Sequence, residues 1–319
     1  MMPFLRLVRY KNLLMIAFAM FMTVFCIINP MLELFNLTSS TTTLDTVFII
    51  LACVLTAAGG YVINDYFDTK IDRINRPETL IVTKSVGYST ATKWHIVLSV
   101  TGCLFGFLVS ARLGIWKVGF MYPIIVGLLW FYSSAYKKMF LVGNIVVAVL
   151  SGLVMVIPAL YEMPGLMNNP DPIIQYGALD PFLIVYQTLG VGIFAFLTSL
   201  TREIIKDMED EEGDKEHGAR TLAVVFGKRN TKIVVTILNL ATVAILEYVL
   251  MTYLNETISI IYINAAVVLP LMFLSYKVLR IKDKKDCHFC SIFMKITMLL
   301  GILYLFVMRY NFLNFKDEF

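Results

Sequence analysis

A chain of 319 residues that is 58% hydrophobic and only 16% charged, with a mean hydropathy of +0.75, is no soluble domain; soluble chains carry about 25% charged residues. Its net charge of +4 does not point to nucleic acid, because basic loops beside anionic lipid headgroups account for it. Five cysteines, of which Cys26, Cys53 and Cys103 sit in apolar runs, set no disulfide framework.

Runs long enough for a bilayer core, about 20 residues, fall near 13–35, 46–63, 95–111, 118–135, 143–161, 181–201, 233–253, 258–279 and 291–310. The expected fold is all-α: a polytopic membrane bundle of about nine spans, in one domain over 1–319 with halves of about 1–160 and 181–319. The first run follows MMPFLRLVRYKN and lacks an A-x-A-like site, so it reads as a retained helix. The third and fourth runs are short and joined by ARLGIWK. Segment 160–182 carries Pro and Gly but no Lys or Arg, and reads as an outward connecting loop. With the N-terminus inside, all but Arg112, Lys117, Arg309 and Lys316 of the 27 Lys and Arg fall on the inner side. That bias predicts a cytoplasmic N-terminus, in the cell inner membrane if the source is bacterial.

Two acidic clusters follow apolar segments on that same side: NDYFDTKID at 64–72 and DMEDEEGD at 207–214. In each, three aspartates recur at i, i+3 and i+7: Asp65, Asp68 and Asp72, then Asp207, Asp210 and Asp214. At about 3.6 residues per turn this places three carboxylates on one helix face. Such a stripe repels itself unless a cation lies against it, and at the cytoplasmic end of an out-to-in helix it also opposes the macrodipole. Magnesium, held by a few carboxylates and phosphate oxygens, is the hard cation suited to it. The bland alternative for the second, denser cluster is a solvated helix face. The two stripes repeat at an offset of 142 residues (207 − 65), which suggests related halves with a site between them.

Basic residues flank both stripes. Arg73 and Arg76 follow the first; Arg202 and Lys206 precede the second and Arg220 follows it; Tyr132, Lys137 and Lys138 lie in FYSSAYKK. Arg forks and Lys point charges suit phosphate oxygens, although each is equally a positive-inside anchor, and Lys277 to Lys285 read as anchors only. Cys287-His288-Phe289-Cys290 has no second ligand pair to complete a metal tetrahedron, and His95 and His217 stand alone.

These motifs together resemble the UbiA superfamily of intramembrane prenyltransferases over roughly residues 5–310. Asn64, Asp65, Asp68 and Asp72 meet its NDxxDxxxD motif, continuing as Asp72-Arg73-Ile74-Asn75-Arg76-Pro77. Asp207, Asp210, Asp214, Gly218, Thr221 and Leu222 meet the second motif; Tyr132, Lys137, Lys138, Gly143 and Asn144 meet a third. Members acting on aromatic acids continue with R-P-x-x-S-G, where this chain has Thr79-Leu80 and Thr83-Lys84. The Arg9-Tyr10-Lys11-Asn12 segment is more similar to members that prenylate glycerol phosphate lipids.

The resemblance implies a central cavity open sideways to lipid, facing the cytoplasm. It implies two Mg2+ ions held by Asn64 and the six stripe aspartates, which are the expected catalytic residues. Arg73, Arg76, Tyr132, Lys137, Lys138 and Lys206 would bind the diphosphate of a polyprenyl donor, and Arg9 and Asn12 the lipophilic acceptor. The expected acceptor is a prenylated glycerol phosphate, with aromatic prenylation in quinone biosynthesis as an alternative. A divalent-cation or lipid transporter is the alternative from another class, but its carboxylates would sit near the bilayer midplane.

Overall fold

In the computed structural model, which describes residues 2–75, 80–168 and 182–317, the apolar runs are helical and no β-strand occurs among the described residues. Lipid offers no hydrogen bonds, so each spanning segment must satisfy its own backbone. Most of the loop expected over 160–182, and Arg76, lie outside the described residues.

The helices are α1 (Met2–Leu7), α2 (Tyr10–Leu34), α3 (Thr43–Asn75), α4 (Tyr88–Arg112), α5 (Trp116–Gly119) and α6 (Met121–Ser134). They continue with α7 (Val142–Leu160), α8 (Met163–Asn168), α9 (Leu183–Glu216), α10 (Leu222–Thr252), α11 (Thr257–Leu279) and α12 (Lys284–Asp317). In α2 and α11 a wide π-turn, Val24–Ile28 and Asn264–Val268, comes just before Pro30 and Pro270. A proline ring clashes with the carbonyl one turn back, and the wider turn relieves that clash.

Among the described residues eight helices are long and apolar enough to cross a membrane: α2, α3, α4, α7, α9, α10, α11 and α12. The run expected as a fourth span is broken. It forms the 4-residue α5 and the 14-residue α6, and α6 is about 21 Å long at 1.5 Å per residue. Pro123 sits in the first turn of α6; it lacks the N–H that would bond to Gly119, so the helix restarts between the two.

Six helices form a ring around a central cavity in the order α2, α3, α6, α7, α9 and α12, with α12 closing back on α2. Outside it, α4 packs on α3, α10 on α9, and α11 against α10 and α12. Helix α7 comes close to α9. A Cβ at Gly152 would lie 2.8 Å from the Gly192 carbonyl oxygen, and one at Gly192 would lie 2.9 Å from that of Gly152. Only small residues let membrane helices come so near. Leu14, Leu104, Ile237, Met251 and Ile261 point outward, as lipid-facing side chains do.

Among the described residues, the end of the bundle away from the aspartates is filled by side chains. Tyr122 and Tyr161 are fully buried there in an apolar cluster with Met20, Ile49 and Cys53. Tyr161 Oη lies 3.2 Å from Tyr122 Oη and 3.1 Å from Ser110 Oγ. Beyond them, buried Glu162 accepts from Ser39 Oγ at 2.9 Å and Ser40 N at 2.7 Å. Buried Asp45 accepts from Thr42 N and Arg112 Nε, each at 2.7 Å. These bonds tie the segment before α3 to the ends of α4 and α7, and leave both carboxylates satisfied as buried acids must be.

Candidate active site

The central cavity has a volume of about 1600 Å³ and runs from a charged mouth to an apolar floor at Cys53 and Tyr122. Its mouth is lined by all six stripe aspartates and by Asn64, Tyr132, Lys137, Lys138, Lys206, Arg9 and Asn12. These expected site residues therefore share one cavity. Arg73 is the exception: it is exposed and does not line the cavity, because it follows Asp72 directly and so falls off the face that carries the stripe.

The first stripe lies on the last turns of α3 and meets cations from other elements. Arg9 Nη2 donates to Asp65 Oδ1 at 2.8 Å and the guanidinium stands 5.1 Å from the centre of the Tyr61 ring. Arg9 has φ +52°, the left-handed turn that joins α1 to α2. Burial works against its charge, but Asp65 and Tyr61 more than offset this and hold the guanidinium protonated above its usual range. Lys137, from the short turn Tyr136–Lys138 after α6, pairs with Asp68. Asn64 Nδ2 donates to the other oxygen of Asp68 at 2.8 Å.

The second stripe lies on the last turns of α9 opposite the first. Asp214 is within electrostatic range of Asp68 and Lys137. Asn144, near the start of α7, donates to Asp207 Oδ2 at 2.9 Å. The Tyr132–Asn144 segment thus joins the two stripes: Lys137 reaches the first, Asn144 the second, and Tyr132 stands within range of Asp68, Asp207 and Glu203. The Lys138 carbonyl accepts from Arg220 N at 2.8 Å, fastening the loop after α9 to the lysine turn.

Glu203 was not anticipated. It lies one turn inward from Asp207 on the same face of α9, is 7% exposed, and holds Arg202 Nη1 at 2.8 Å and Lys206 Nζ at 3.0 Å. The signal was present: 203, 207, 210 and 214 continue one helical stripe. Nor was Lys295, on α12, whose Nζ donates to Asn12 Oδ1 at 2.5 Å. Cys287 and Cys290 are buried on α12, while His288 Nδ1 meets Glu209 Oε1 at 3.2 Å and joins α12 to the end of α9.

Among the described residues no three His, Cys, Asp or Glu side chains already converge as a metal ligand set. The donors nonetheless fit a hard cation. They are carboxylates, together with Asn64 Oδ1, a buried amide oxygen with no hydrogen-bond partner among the described residues. Magnesium takes few protein ligands and completes its shell with water and phosphate oxygens, so an open arrangement suits it.

The model of the UbiA prenyltransferase family matches residues 30–299. The chain belongs to that family. It is a membrane prenyltransferase by this membership, as the motifs implied. It is 32% identical over 252 residues to a digeranylgeranylglyceryl phosphate synthase of Methanosphaera stadtmanae, covering 78% of this chain and 82% of that protein. A solved digeranylgeranylglyceryl phosphate synthase superposes with TM-score 0.66 at 22% identity, over 96% of this chain and 97% of that one. A UbiA homologue from Archaeoglobus fulgidus, solved with GPP and Mg2+, superposes with TM-score 0.58 at 16% identity over 96% and 99%. At these identities the two structures establish the shared fold.

Proposed function

We propose that this protein transfers an isoprenyl group from a polyprenyl diphosphate to a prenylated glycerol phosphate of the ether-lipid type, releasing diphosphate. The observation that carries the reading is the pair of facing aspartate stripes, bridged by Lys137 and Asn144, at the charged mouth of an apolar cavity. The printed activity of the Methanosphaera relative and the ligands of the Archaeoglobus homologue support it. So does size: about 1600 Å³ exceeds the roughly 300–1,000 Å³ of a site for one small ligand and leaves room for two amphiphiles.

Asn64 and the stripe aspartates would hold two magnesium ions. Bound there, magnesium supplies Lewis-acid neutralisation of the diphosphate. Lys137 adds a positive charge where negative charge grows on the departing oxygen, the position at which a fixed charge accelerates most. The allylic carbon–oxygen bond breaks with both electrons leaving on the diphosphate. Tyr132 and the apolar walls below it keep water from the cation-like carbon. The acceptor hydroxyl oxygen then bonds to that carbon, and a stripe carboxylate takes its proton.

The cavity mouth is read as cytoplasmic from the distribution of basic residues, with the two halves acting as one domain and α5–α6 as a short ninth membrane element. A bacterial source would place it in the inner membrane. The closed floor at Tyr122 and Tyr161 supports an enzyme pocket over an ion path. The test is to incubate purified protein with labelled geranylgeranyl diphosphate, magnesium and a panel of acceptors. Diphosphate release with the prenylated glycerol phosphate is expected; none with any acceptor would sink the reading.

A further inference from the structure

Three helices on the side of the ring opposite α6 share one design. On α2 the cavity face reads Asn12, then Met15 and Ala19; on α12 it reads Lys295, then Met298 and Ile302. On α9, running the other way, it reads Arg202, then Thr198 and Ser199, and beyond them Ala195 and Val191. Each stripe follows the helical repeat and carries a polar head toward the mouth with an apolar tail behind it. Together they line a groove with the shape of a single-tailed amphiphile.

The heads carry an excess of positive charge. Lys295 lies among Arg202, Lys206 and the more exposed Lys11, and its bond is to the neutral amide of Asn12. Among the described residues no carboxylate pairs with it. Glu203 is shared by Arg202 and Lys206. Arg202 and Lys206 thus share one carboxylate, and Lys295 has none among the described residues, so these three side chains carry more positive than negative charge. The Arg202 Nε–H is buried with no acceptor among the described residues. Lys295 also sits about 16 Å along α12 from Lys284, inside an apolar span, where a charge without an anionic partner is costly and marks a binding site.

We infer that Lys295, with Arg202 and Asn12, forms a second anion site that holds the phosphate monoester of the acceptor, while the stripes and Lys137 hold the donor diphosphate. This rests on the proposed function and names the residues that select its acceptor. The charge discriminates between acceptor classes: a phosphate monoester carries about −1.5 to −2 at neutral pH and matches the excess, whereas the carboxylate of an aromatic acid brings only −1. The site requires no metal, because its donors are N–H groups aimed at oxygen.

Two measurements on the full-length protein in detergent test this. The first is binding of geranylgeranylglyceryl phosphate in EDTA without donor, for wild type, Lys295→Ala and Lys295→Arg. The expected result is at least a tenfold loss in Lys295→Ala and largely restored affinity in Lys295→Arg. The phosphate-free prenylglycerol should bind wild type and Lys295→Ala alike, and inorganic phosphate should compete with the phosphate-bearing lipid on wild type only. The second is steady-state turnover: Lys295→Ala should raise KM for the acceptor tenfold or more while KM for the donor stays within twofold. A donor KM that rises instead, or unchanged acceptor binding in a variant that still elutes as folded protein, overturns the assignment. Wild type that turns over the phosphate-bearing acceptor while Lys295→Ala matches it overturns this inference alone. Wild type that turns over only aromatic acceptors overturns the acceptor reading, and this assignment with it.

Discussion

On α3, Asp65 and Asp68 meet cations brought by other elements, Arg9 and Lys137. On α9, among the described residues, Asp207 accepts a hydrogen bond from the amide of Asn144 and makes no ion pair, and the cations of that helix, Arg202 and Lys206, turn inward to Glu203. Equal spacing therefore conceals unequal charge balance. The first stripe is partly neutralised by the protein itself, so a bound cation must displace or share Lys137. In the second, Asp207 has an amide and no ion-pair partner among the described residues, so a cation there would displace no salt bridge.

Four experiments bear on this contrast. The largest effect is expected from Asp68→Ala and Asp210→Ala, each lowering turnover by about 10³-fold or more, since in the proposed reaction both stripes would hold the leaving diphosphate. Full activity in either folded variant would refute the metal assignment for that stripe. Lys137→Met should lower kcat by about 10²-fold with a smaller change in the donor KM, read by steady-state kinetics. A loss confined to KM would make Lys137 a binding group only.

The contrast itself is sharpest without metal. In EDTA, Asp68→Asn should cost about 2 kcal/mol of stability, because the largely buried Lys137 is left without its carboxylate. Asp207→Asn should stay within about 0.5 kcal/mol, as a neutral amide still accepts from Asn144. Equal losses in denaturant unfolding would break the distinction between the stripes. The smallest effect is expected far from both: Tyr161→Phe should lose about 1 kcal/mol, and by the same amount with or without magnesium.

The stripes were legible because carboxylates at helical spacing beside apolar runs are rare and have one economical explanation. Their placement at a single cavity mouth followed from the side on which the basic loops lie. Tyr132, Lys137 and Asn144 were legible as a motif, but that they bridge the stripes depends on α6 and α7 packing between α3 and α9. Glu203 and Lys295 were hidden by their surroundings. In a run with seven acids over 207–216, one more acid a turn earlier has no contrast, and Lys295, a lone lysine in the last apolar run, was counted only as one of the inner-side basic residues. Arg73 failed in the opposite direction. Adjacency in sequence put it near Asp72, yet one residue along a helix is about 100° around it.

The closed floor has a consequence for the membrane itself. A charged cleft that reaches far into a bilayer shortens the insulating path for small ions, and any unsealed route past it would dissipate a transmembrane voltage. Here the path beyond the cleft ends at Tyr122 and Tyr161, whose hydroxyls bond to each other. Past them Glu162 and Asp45 are fully occupied by Ser39, Ser40, Thr42 and Arg112. A far end filled in this way would act as an electrical seal, so that ions entering the cleft from one side would not cross.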